Sequence, residues 1–492
     1  MSDILQFASP CEAGIAPQDI LAFLDDIKDR RMMVHSMLLI RHGKVCAEGY
    51  WHPFDKNTLH RMYSVSKTFV SAAVGAVIGE GKLSLDSKVA PFFTDKYEGE
   101  LDPWLADATV RDLLRMETPH AESTYCFEDP DWLATFFRNK PNHPAGTFFR
   151  YDTSGTYTLD VLVQRLTGKG FLEYLKEKAL DKIGFSKNAW VVEAPEGYPW
   201  GGSGVMCTAR DLARFALLVD RDGEFEGEQL LPADYLREAK KKQIDNDVYG
   251  YTTPLSGHGY GYQIWRIFGN GYAFEGMGGQ LALCWPDKDF IAVFTGDTQG
   301  HPMNYDVMVD ALRYDIWNKL SDEPVAADPL GELRLSARLA MLEPVPQPGE
   351  PSVPFADEVN GRVYEMGPNK MGIERFSFVF EGDEGTFRYD TVRGPKEIRF
   401  GLGKYVIGEF PEDHYSGTRI RRSANRNYRC MATAAWTEAQ KFVLRVYVID
   451  DYFGNMAATF GFKGDEAGVI MTKYAEDFMQ EYNGIGAAKL KK

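Results

Sequence analysis

A serine and a lysine three residues apart, Ser64 and Lys67, open an apolar segment in which no charge follows Lys67 until Glu80. The small and apolar residues from Val65 to Ile78 predict a helix that is buried on nearly all sides. Residues three apart share one helical face, so the Lys67 amine can reach the Ser64 hydroxyl and take or hold its proton. Such a pair could make Ser64 a nucleophile. The alternative is that Ser64 caps the helix and Lys67 extends its amine to solvent.

A second candidate group is Tyr151, which lies in the turn-forming segment RYDTSGTY before another largely apolar helical pattern. A tyrosine close to a lysine ammonium can be held as a phenoxide, or can pass a proton between a nucleophile and a leaving group. Taken by itself, a tyrosine in this setting is also typical of an ordinary half-buried aromatic residue. Its chemical value therefore depends on whether the fold brings it to Ser64.

The third candidate is a glycine cluster, GMGGQ, in which Gly276, Gly278 and Gly279 precede an apolar strand pattern. Glycines allow a backbone to approach a ligand closely, and an edge strand offers N–H groups to an oxyanion or to an extended substrate. The same glycines also suit a tight hairpin turn. The cluster is therefore a candidate substrate-binding segment with a purely structural alternative.

Composition argues against several classes of protein. The formal net charge of -16 disfavours nucleic acid and anionic membrane surfaces as partners, and no apolar run is long enough to cross a membrane. The first residues show no secretory signal pattern, so we expect a cytoplasmic protein. The cysteines and histidines show no metal-ligand spacing and no nucleotide-binding glycine motif occurs, so we expect neither a metal nor a cofactor.

The chain of 492 residues is long enough for two domains. Apolar runs around His42 and Gly43 predict a hairpin over residues 36–50, and a helix-rich section with capping signals at Thr109 and Thr208 follows. Short strand patterns between residues 259 and 296, beginning with GYGYQIWRI, predict an antiparallel sheet. Residues 303–319 return to helical periodicity and are expected to pack on that sheet.

Seven prolines from Pro324 to Pro354 predict a connection between domains. After it, alternating segments such as RFSFVFEG and KFVLRVYVID predict a small antiparallel sheet or barrel. The predicted division is a first domain over residues 1–322, a linker over 323–357 and a β-rich domain over 358–492. The last domain is compatible with a binding module, a lid or an oligomer contact, which leaves a homo-oligomer open.

Together these elements resemble the serine β-lactamase and penicillin-binding protein superfamily, and within it the class C β-lactamase-like serine hydrolases. The likeness covers roughly residues 15–320 and rests on motifs in a fixed order: RMYSVSKTF with EGKLSLDSKV, TVRDLLRM, PAGTFFRYDTSGTY, GGSGVMCTARDLARFALL, GYGYQIW and GMGGQ. The resemblance implies an α/β fold in which helices flank an antiparallel sheet. An all-helical region completes that fold, and the site lies between the helical region and the sheet.

Carried over position by position, the resemblance implies that Ser64 is the acylated nucleophile and that Lys67 is its hydrogen-bonded activator. Tyr151 would act as a general base and then as a general acid. The Ser64 N–H and a backbone N–H at about Gly279 would form the oxyanion hole.

Two departures from the family bear on the substrate. Thr153 stands where members commonly carry an asparagine whose amide binds the substrate, and Gly276 stands where many carry a lysine or histidine. Loss of that cation disfavours a substrate carboxylate such as that of a penicillin. The variant with GMGGQ is instead similar to the esterases and the 6-aminohexanoate-dimer hydrolases of the superfamily.

The leading hypothesis is hydrolysis of a small-molecule ester or amide through an acyl-Ser64 intermediate. The first alternative is a β-lactam or D-amino-acid peptide hydrolase of the same superfamily, and the second is a catalytically silent binding protein. The intact set of Ser64, Lys67 and Tyr151 argues against the silent protein, because such a descendant has no chemical need for Lys67.

Overall fold

The structure is a computed structural model that describes residues 3–247, 253–412, 427–450, 453–475 and 479–492. Its residues form two compact units, and the chain passes from the first to the second between Pro344 and Val345. The first unit mixes helices and strands, whereas strands make up most of the second.

The strands of the first unit are β1 (Gln6–Phe7), β2 (Val34–Arg41), β3 (Lys44–Tyr50), β4 (His60–Arg61), β5 (Trp190–Val191), β6 (Val205–Cys207), β7 (Glu224–Phe225), β8 (Glu228–Gln229), β9 (Trp265–Ile267), β10 (Gly271–Gly276), β11 (Gln280–Trp285) and β12 (Phe290–Gly296). Seven of them build the main sheet in the order β1-β3-β2-β12-β11-β10-β9. Neighbours in this sheet run antiparallel, apart from the parallel pair β1 and β3. The predicted hairpin over residues 36–50 is confirmed as β2 and β3.

The helices of the first unit are α1 (Pro17–Asp29), α2 (Ser66–Gly79), α3 (Pro103–Ala106), α4 (Val110–Leu114), α5 (Trp132–Arg138), α6 (Thr153–Thr167), α7 (Phe171–Lys178), α8 (Ala209–Asp220), α9 (Ala233–Lys240), α10 (Asp306–Asp315) and α11 (Pro329–Ala340). The predicted caps are confirmed, since Thr109 and Thr208 each form a capping box, at the starts of α4 and α8. Helix α11 lies within the stretch predicted as a linker and belongs to the first unit.

Helices cover both faces of the main sheet. On one face, α1 and α10 contribute Phe23 and Leu312 to a core that includes Leu281 and Leu283 of β11. On the other face, α8 packs against β10, where the Phe215 and Phe274 rings lie 5.5 Å apart. Adjacent strand residues point to opposite faces, so Phe274 and its neighbours along β10 alternate between these two helical layers.

Other helices of the first unit pack around α2. Every residue from Ser66 to Val77 is buried, which confirms the predicted burial on nearly all sides. Helices α6 and α7 contact α2 directly. The all-helical region therefore supports α2, which carries Lys67 and follows directly after the turn that carries Ser64.

The described residues of the second unit include the short helix α12 (Ala356–Val359) and the strands β13 (Val363–Met366), β14 (Ile373–Glu381), β15 (Glu384–Thr391), β16 (Gly394–Leu402), β17 (Val406–Phe410), β18 (Tyr428–Glu438), β19 (Lys441–Ile449), β20 (Phe453–Lys463), β21 (Glu466–Tyr474) and β22 (Gly484–Leu490). Their order is β16-β15-β14-β13-β22-β21-β20-β19-β18-β17, and a further pairing of β16 with β18 closes the sheet into a barrel. Phenylalanine rings fill the interior, with Phe378 in contact with Phe387, Phe442 and Phe460.

The predicted fold class, an α/β unit with an antiparallel sheet flanked by helices and a C-terminal β-rich domain, is confirmed. The predicted strand at GYGYQIWRI is wrong for most of its length, because only Trp265–Ile267 forms β9. Gln263 explains the difference. Its backbone adopts a left-handed φ of 59°, and its side chain donates to the carbonyls of Leu113 and Leu114 at the end of α4.

Candidate active site

Ser64 lies in a single 3₁₀ turn, Tyr63–Val65, that leads directly into α2. Tyr63 has a left-handed φ of 46°, a conformation that costs a residue with a side chain roughly 1–3 kcal/mol. The Arg61 guanidinium lies 4.6 Å from the centre of the Tyr63 ring and donates hydrogen bonds to Ser203. These contacts help to hold the strained turn in place.

The helix-cap alternative for Ser64 is wrong. Within this described segment, neither the 3₁₀ turn nor α2 begins with a side-chain cap. Lys67 does not extend to solvent either, since it is only 1% exposed. The side chains of Ser64 and Lys67 therefore meet inside the protein.

Lys67 is fixed by short contacts at its amine. Its Nζ donates to the Ser64 Oγ at 3.1 Å and to the main-chain carbonyl of Gly202 at 2.6 Å. The amine also lies 5.0 Å from the centre of the Tyr151 ring. Burial of an ammonium group is costly unless polar partners replace water, and these contacts supply part of that replacement.

Tyr151 completes the cluster. Its ring stacks on Trp265 with centroids 5.4 Å apart. Burial raises the pKa of the Tyr151 phenol well above its ordinary range, a hydrogen bond with the Ser64 side chain lowers the pKa, and the charge of Glu275 raises it. Tyr151 is therefore a neutral phenol at neutral pH, and the three predicted catalytic residues lie together.

The predicted glycine segment forms the turn between β10 and β11, beside the Ser64 turn. A Cβ atom at Gly276 would lie 2.2 Å from the main-chain oxygen of Met62, so the end of β10 contacts the backbone just before Ser64. Gly278 and Gly279 have left-handed φ angles of 80° and 91°. The Gly279 N–H donates to the Gly276 carbonyl at 3.3 Å, within the turn itself.

Thr153 is the first residue of α6 and lies beside Gly202, whose carbonyl accepts a hydrogen bond from Lys67. Its N–H donates to the Ser123 Oγ at 2.8 Å, while a Cβ atom added to Gly202 would lie 2.3 Å from its methyl carbon. Thr153 therefore packs against the residue whose carbonyl accepts from Lys67. The preceding Asp152 is buried and caps α6 through the Ser154 N–H.

Several residues at the site were not identified from the sequence. Gly202 lies within GGSGVMCTARDLARFALL, but its role as an acceptor depends on a contact 135 residues along the chain from Lys67. Glu275 is visible only as the residue before Gly276, and Tyr305, whose hydroxyl donates to it, carries no sequence signal. These partners could be found only by knowing which segments meet.

The described residues contain no group of three or more His, Cys, Asp or Glu side chains that could hold a metal ion. Among the helices in the described ranges, none is both long enough and apolar enough to span a membrane.

The chain is similar to known proteins over most of its first unit. The family model for beta-lactamase matches residues 24–313, which is more than half of the chain. A 6-aminohexanoate-dimer hydrolase from Paenarthrobacter ureafaciens is 23% identical over 283 residues, covering 52% of this chain and 71% of that protein.

Two solved structures of penicillin-binding protein homologues match this chain, and the first, with a TM-score above 0.5, is similar in fold. A penicillin-binding protein homologue from Caulobacter crescentus has a TM-score of 0.51 at 15% identity, and the match covers 63% of this chain and 98% of that one. An octameric penicillin-binding protein homologue from Pyrococcus abyssi has a TM-score of 0.46 at 15% identity, with 95% of this chain and 99% of that one covered.

The chain belongs to the beta-lactamase family. Within the superfamily of β-lactamases and penicillin-binding proteins, it is a serine hydrolase of the kind that cleaves amides or esters. The resemblance seen in the sequence motifs is thereby confirmed.

Proposed function

We propose that the protein hydrolyses small carboxylic esters or linear amides through an acyl-Ser64 intermediate. The observation that carries this proposal is the buried Lys67 amine, which donates to the Ser64 Oγ at 3.1 Å. A serine hydroxyl attacks a carbonyl slowly unless a neighbouring group takes its proton, and the Lys67–Tyr151 pair is placed to do so.

The proposed reaction has two halves. Ser64 Oγ attacks the substrate carbonyl carbon while the Lys67 Nζ, as an unprotonated amine, accepts its proton, and the resulting ammonium returns a proton to Tyr151 after the phenol has given its own to the leaving group. Because the pKa of Tyr151 is raised, its neutral phenol is suited to donate a proton to the leaving alcohol or amine. A water molecule then attacks the acyl-Ser64 ester by the reverse proton path, which releases the acid and restores the serine.

The oxyanion hole belongs to the same proposal. The Ser64 N–H supplies one donor, and the turn that starts at Gly276 supplies the other. We propose the second donor at about Gly279, whose N–H also donates to the Gly276 carbonyl at 3.3 Å within the turn. The 2.2 Å distance between a hypothetical Gly276 Cβ and the Met62 oxygen supports this assignment, since it brings the turn against the nucleophile's segment.

Linear substrates are favoured over lactams. Thr153 packs on Gly202, and Gly276 brings no cation to bind a lactam carboxylate. A relative is named for hydrolysis of the 6-aminohexanoate dimer. We expect kcat/KM for a chromogenic cephalosporin to lie below that for a short-chain nitrophenyl ester. A cephalosporin that outperformed every ester and linear amide would overturn this substrate preference and leave the serine mechanism in place.

A covalent probe tests the mechanism itself. A fluorophosphonate should add one covalent mass to the native protein, and peptide mapping should place it on Ser64. Ser64→Ala should abolish labelling and turnover, whereas Ser71→Ala, the loss of a serine hydroxyl within the nearby helix α2, should keep the label. Full labelling of Ser64→Ala would move the nucleophile elsewhere and refute the assignment.

A further inference from the structure

Glu275 lies on β10, one residue before Gly276 and at an edge of the sheet. Phe274 points towards α8, so strand alternation turns Glu275 towards the side that α10 covers. The neighbouring strand β9 pairs with β10 only over Gly271–Ala273. Within the described ranges, no strand therefore covers the edge at Glu275, and its side chain is half-buried.

The groups that face Glu275 are neutral or acidic. The Tyr305 hydroxyl, just before α10, donates a hydrogen bond to the Glu275 Oε1. The charge of Asp306 opposes that of Glu275, and the charge of Glu275 in turn raises the pKa values of Tyr151 and Tyr260. Among the residues that the structure describes, no Lys, Arg or His is paired with Glu275 or with Asp306.

None of the residues that the structure describes gives this carboxylate a counter-charge. Burial raises the pKa of Glu275 to about 7, the Tyr305 hydrogen bond lowers it, and Asp306 raises it. A half-buried anion has lost water that only a hydroxyl replaces, so an arriving cation would gain an interaction that the protein itself does not satisfy. Glu275 adjoins Gly276, whose backbone lies against Met62 beside Ser64, and the charge of Glu275 raises the pKa of Tyr151, so a cation bound there would belong to the substrate.

Resting on the proposed function, we propose that Glu275 selects substrates that carry an ammonium group and disfavours substrates that carry a carboxylate. Glu275 is thus a specificity-determining residue. It lies one position from Gly276, where the superfamily commonly has a cation. The negative charge of Glu275, beside the turn that starts at Gly276, would reverse the preference for anionic substrates that such a cation would give.

Isosteric substrates separate charge from shape. One pair of nitrophenyl esters carries trimethylammonium or tert-butyl at the end of the acyl chain. A second pair, acetylthiocholine and 3,3-dimethylbutyl thioacetate, carries the same groups on the leaving side. We expect kcat/KM to favour the cationic member at least tenfold in one pair, and an acyl chain ending in carboxylate to be the poorest ester. A ratio near one in both pairs would overturn the proposal.

Substitution of Glu275 tests whether this residue causes the preference for cationic substrates. Glu275→Gln keeps an oxygen that accepts from Tyr305 but removes the charge, so the cation-to-neutral ratio should fall towards one. Glu98→Gln, the same change at an exposed carboxylate, should leave the ratio as in the native protein. An unchanged ratio in Glu275→Gln would mean that Glu275 only holds Tyr305, and the proposal would be wrong.

The native protein provides a test that needs no variant. The ratio should rise between pH 6 and pH 8 as Glu275 loses its proton, while effects of Tyr151 common to both substrates cancel. A ratio that stays flat would count against the proposal. If the protein is labelled by the fluorophosphonate and cleaves the neutral ester but shows no charge preference, only the role proposed for Glu275 is refuted. Absence of labelling and of all ester cleavage would refute the proposed function instead.

Discussion

The surroundings of Ser64 and the interior of the C-terminal barrel are organised in opposite ways. Around Ser64, the buried polar groups of Lys67 and Gln263 bond to main-chain oxygens of a turn and of a helix end, respectively. Inside the barrel, rings such as Phe378 and Phe460 pack edge to face at 4.8 Å between regular strands. The surroundings of Ser64 depend on a few directional hydrogen bonds, whereas the barrel interior depends on many non-directional packing contacts.

This difference teaches where each region is vulnerable. A directional contact fails when one atom is removed or one backbone segment moves by about an ångström, because hydrogen bonds and reaction geometry tolerate little displacement. An aromatic interior loses stability in proportion to the volume removed, and its strands keep their pairing. Substitutions of similar size should therefore have unlike consequences in the two regions.

The largest expected effect comes from Lys67→Met. The thioether fills the buried space but cannot exchange a proton with Ser64, so turnover should fall by about a thousandfold or more while the fold is kept. Steady-state kinetics with a nitrophenyl ester, together with circular dichroism, measures both quantities. Lys88→Met, at an exposed lysine, serves as the control. Near-normal turnover in a folded Lys67→Met protein would remove the lysine from the mechanism.

A matched pair of glycines comes next. In Gly276→Ala the new methyl would lie 2.2 Å from the Met62 oxygen, so we expect a loss of about 1–3 kcal/mol in unfolding free energy and at least a tenfold loss of activity. In the barrel, Gly468→Ala meets no atom within 4 Å and should change stability by less than about 0.5 kcal/mol. Chemical denaturation and ester kinetics test the pair, and equal effects in both variants would contradict the contrast.

The smallest expected effect is a pH dependence confined to the first unit. His35 and His60 are buried with ring nitrogens 3.0 Å apart, and burial lowers the pKa of His35 well below its ordinary range and that of His60 to about 4. Unfolded histidines titrate near 6.5, so between about pH 6.5 and pH 4 the unfolded chain binds more protons than the folded one. The unfolding free energy should therefore fall as the pH drops, by about 1 kcal/mol per histidine between pH 7 and pH 5.5.

Tryptophan fluorescence can follow this effect, because every tryptophan except Trp436 lies in the first unit. The described part of the barrel contains no histidine and should lack the same dependence. Substitution of both His35 and His60 by glutamine should flatten the pH profile of the first unit. A melting temperature of the native protein that did not change between pH 7 and pH 5.5 would show that the pair costs nothing to protonate.

Regular features could be predicted from the sequence, because each depends on residues close together along the chain. The apolar run after Lys67 gave a helix, Thr109 and Thr208 gave caps, and alternation gave the barrel strands. The irregular backbone around Gln263 could not be predicted from the sequence. The Gln263 side chain is held by a hydrogen bond to the end of α4, about 150 residues earlier, and periodicity along the chain does not show such a contact. The role of Glu275 is hidden in the sequence for a similar reason, because it depends on Tyr305, thirty residues later.

The Gly202 carbonyl that accepts from Lys67 has an evolutionary consequence. A main-chain oxygen is present whatever residue occupies the position, so no exchange of side chain can delete this anchor of the amine. A new side chain at Gly202 would instead bring its first carbon to 2.3 Å from the Thr153 methyl. Lineages that keep Lys67 can therefore vary position 153 towards smaller residues more readily than they can replace Gly202. Sequence divergence within the family should accumulate on the Thr153 side of that contact.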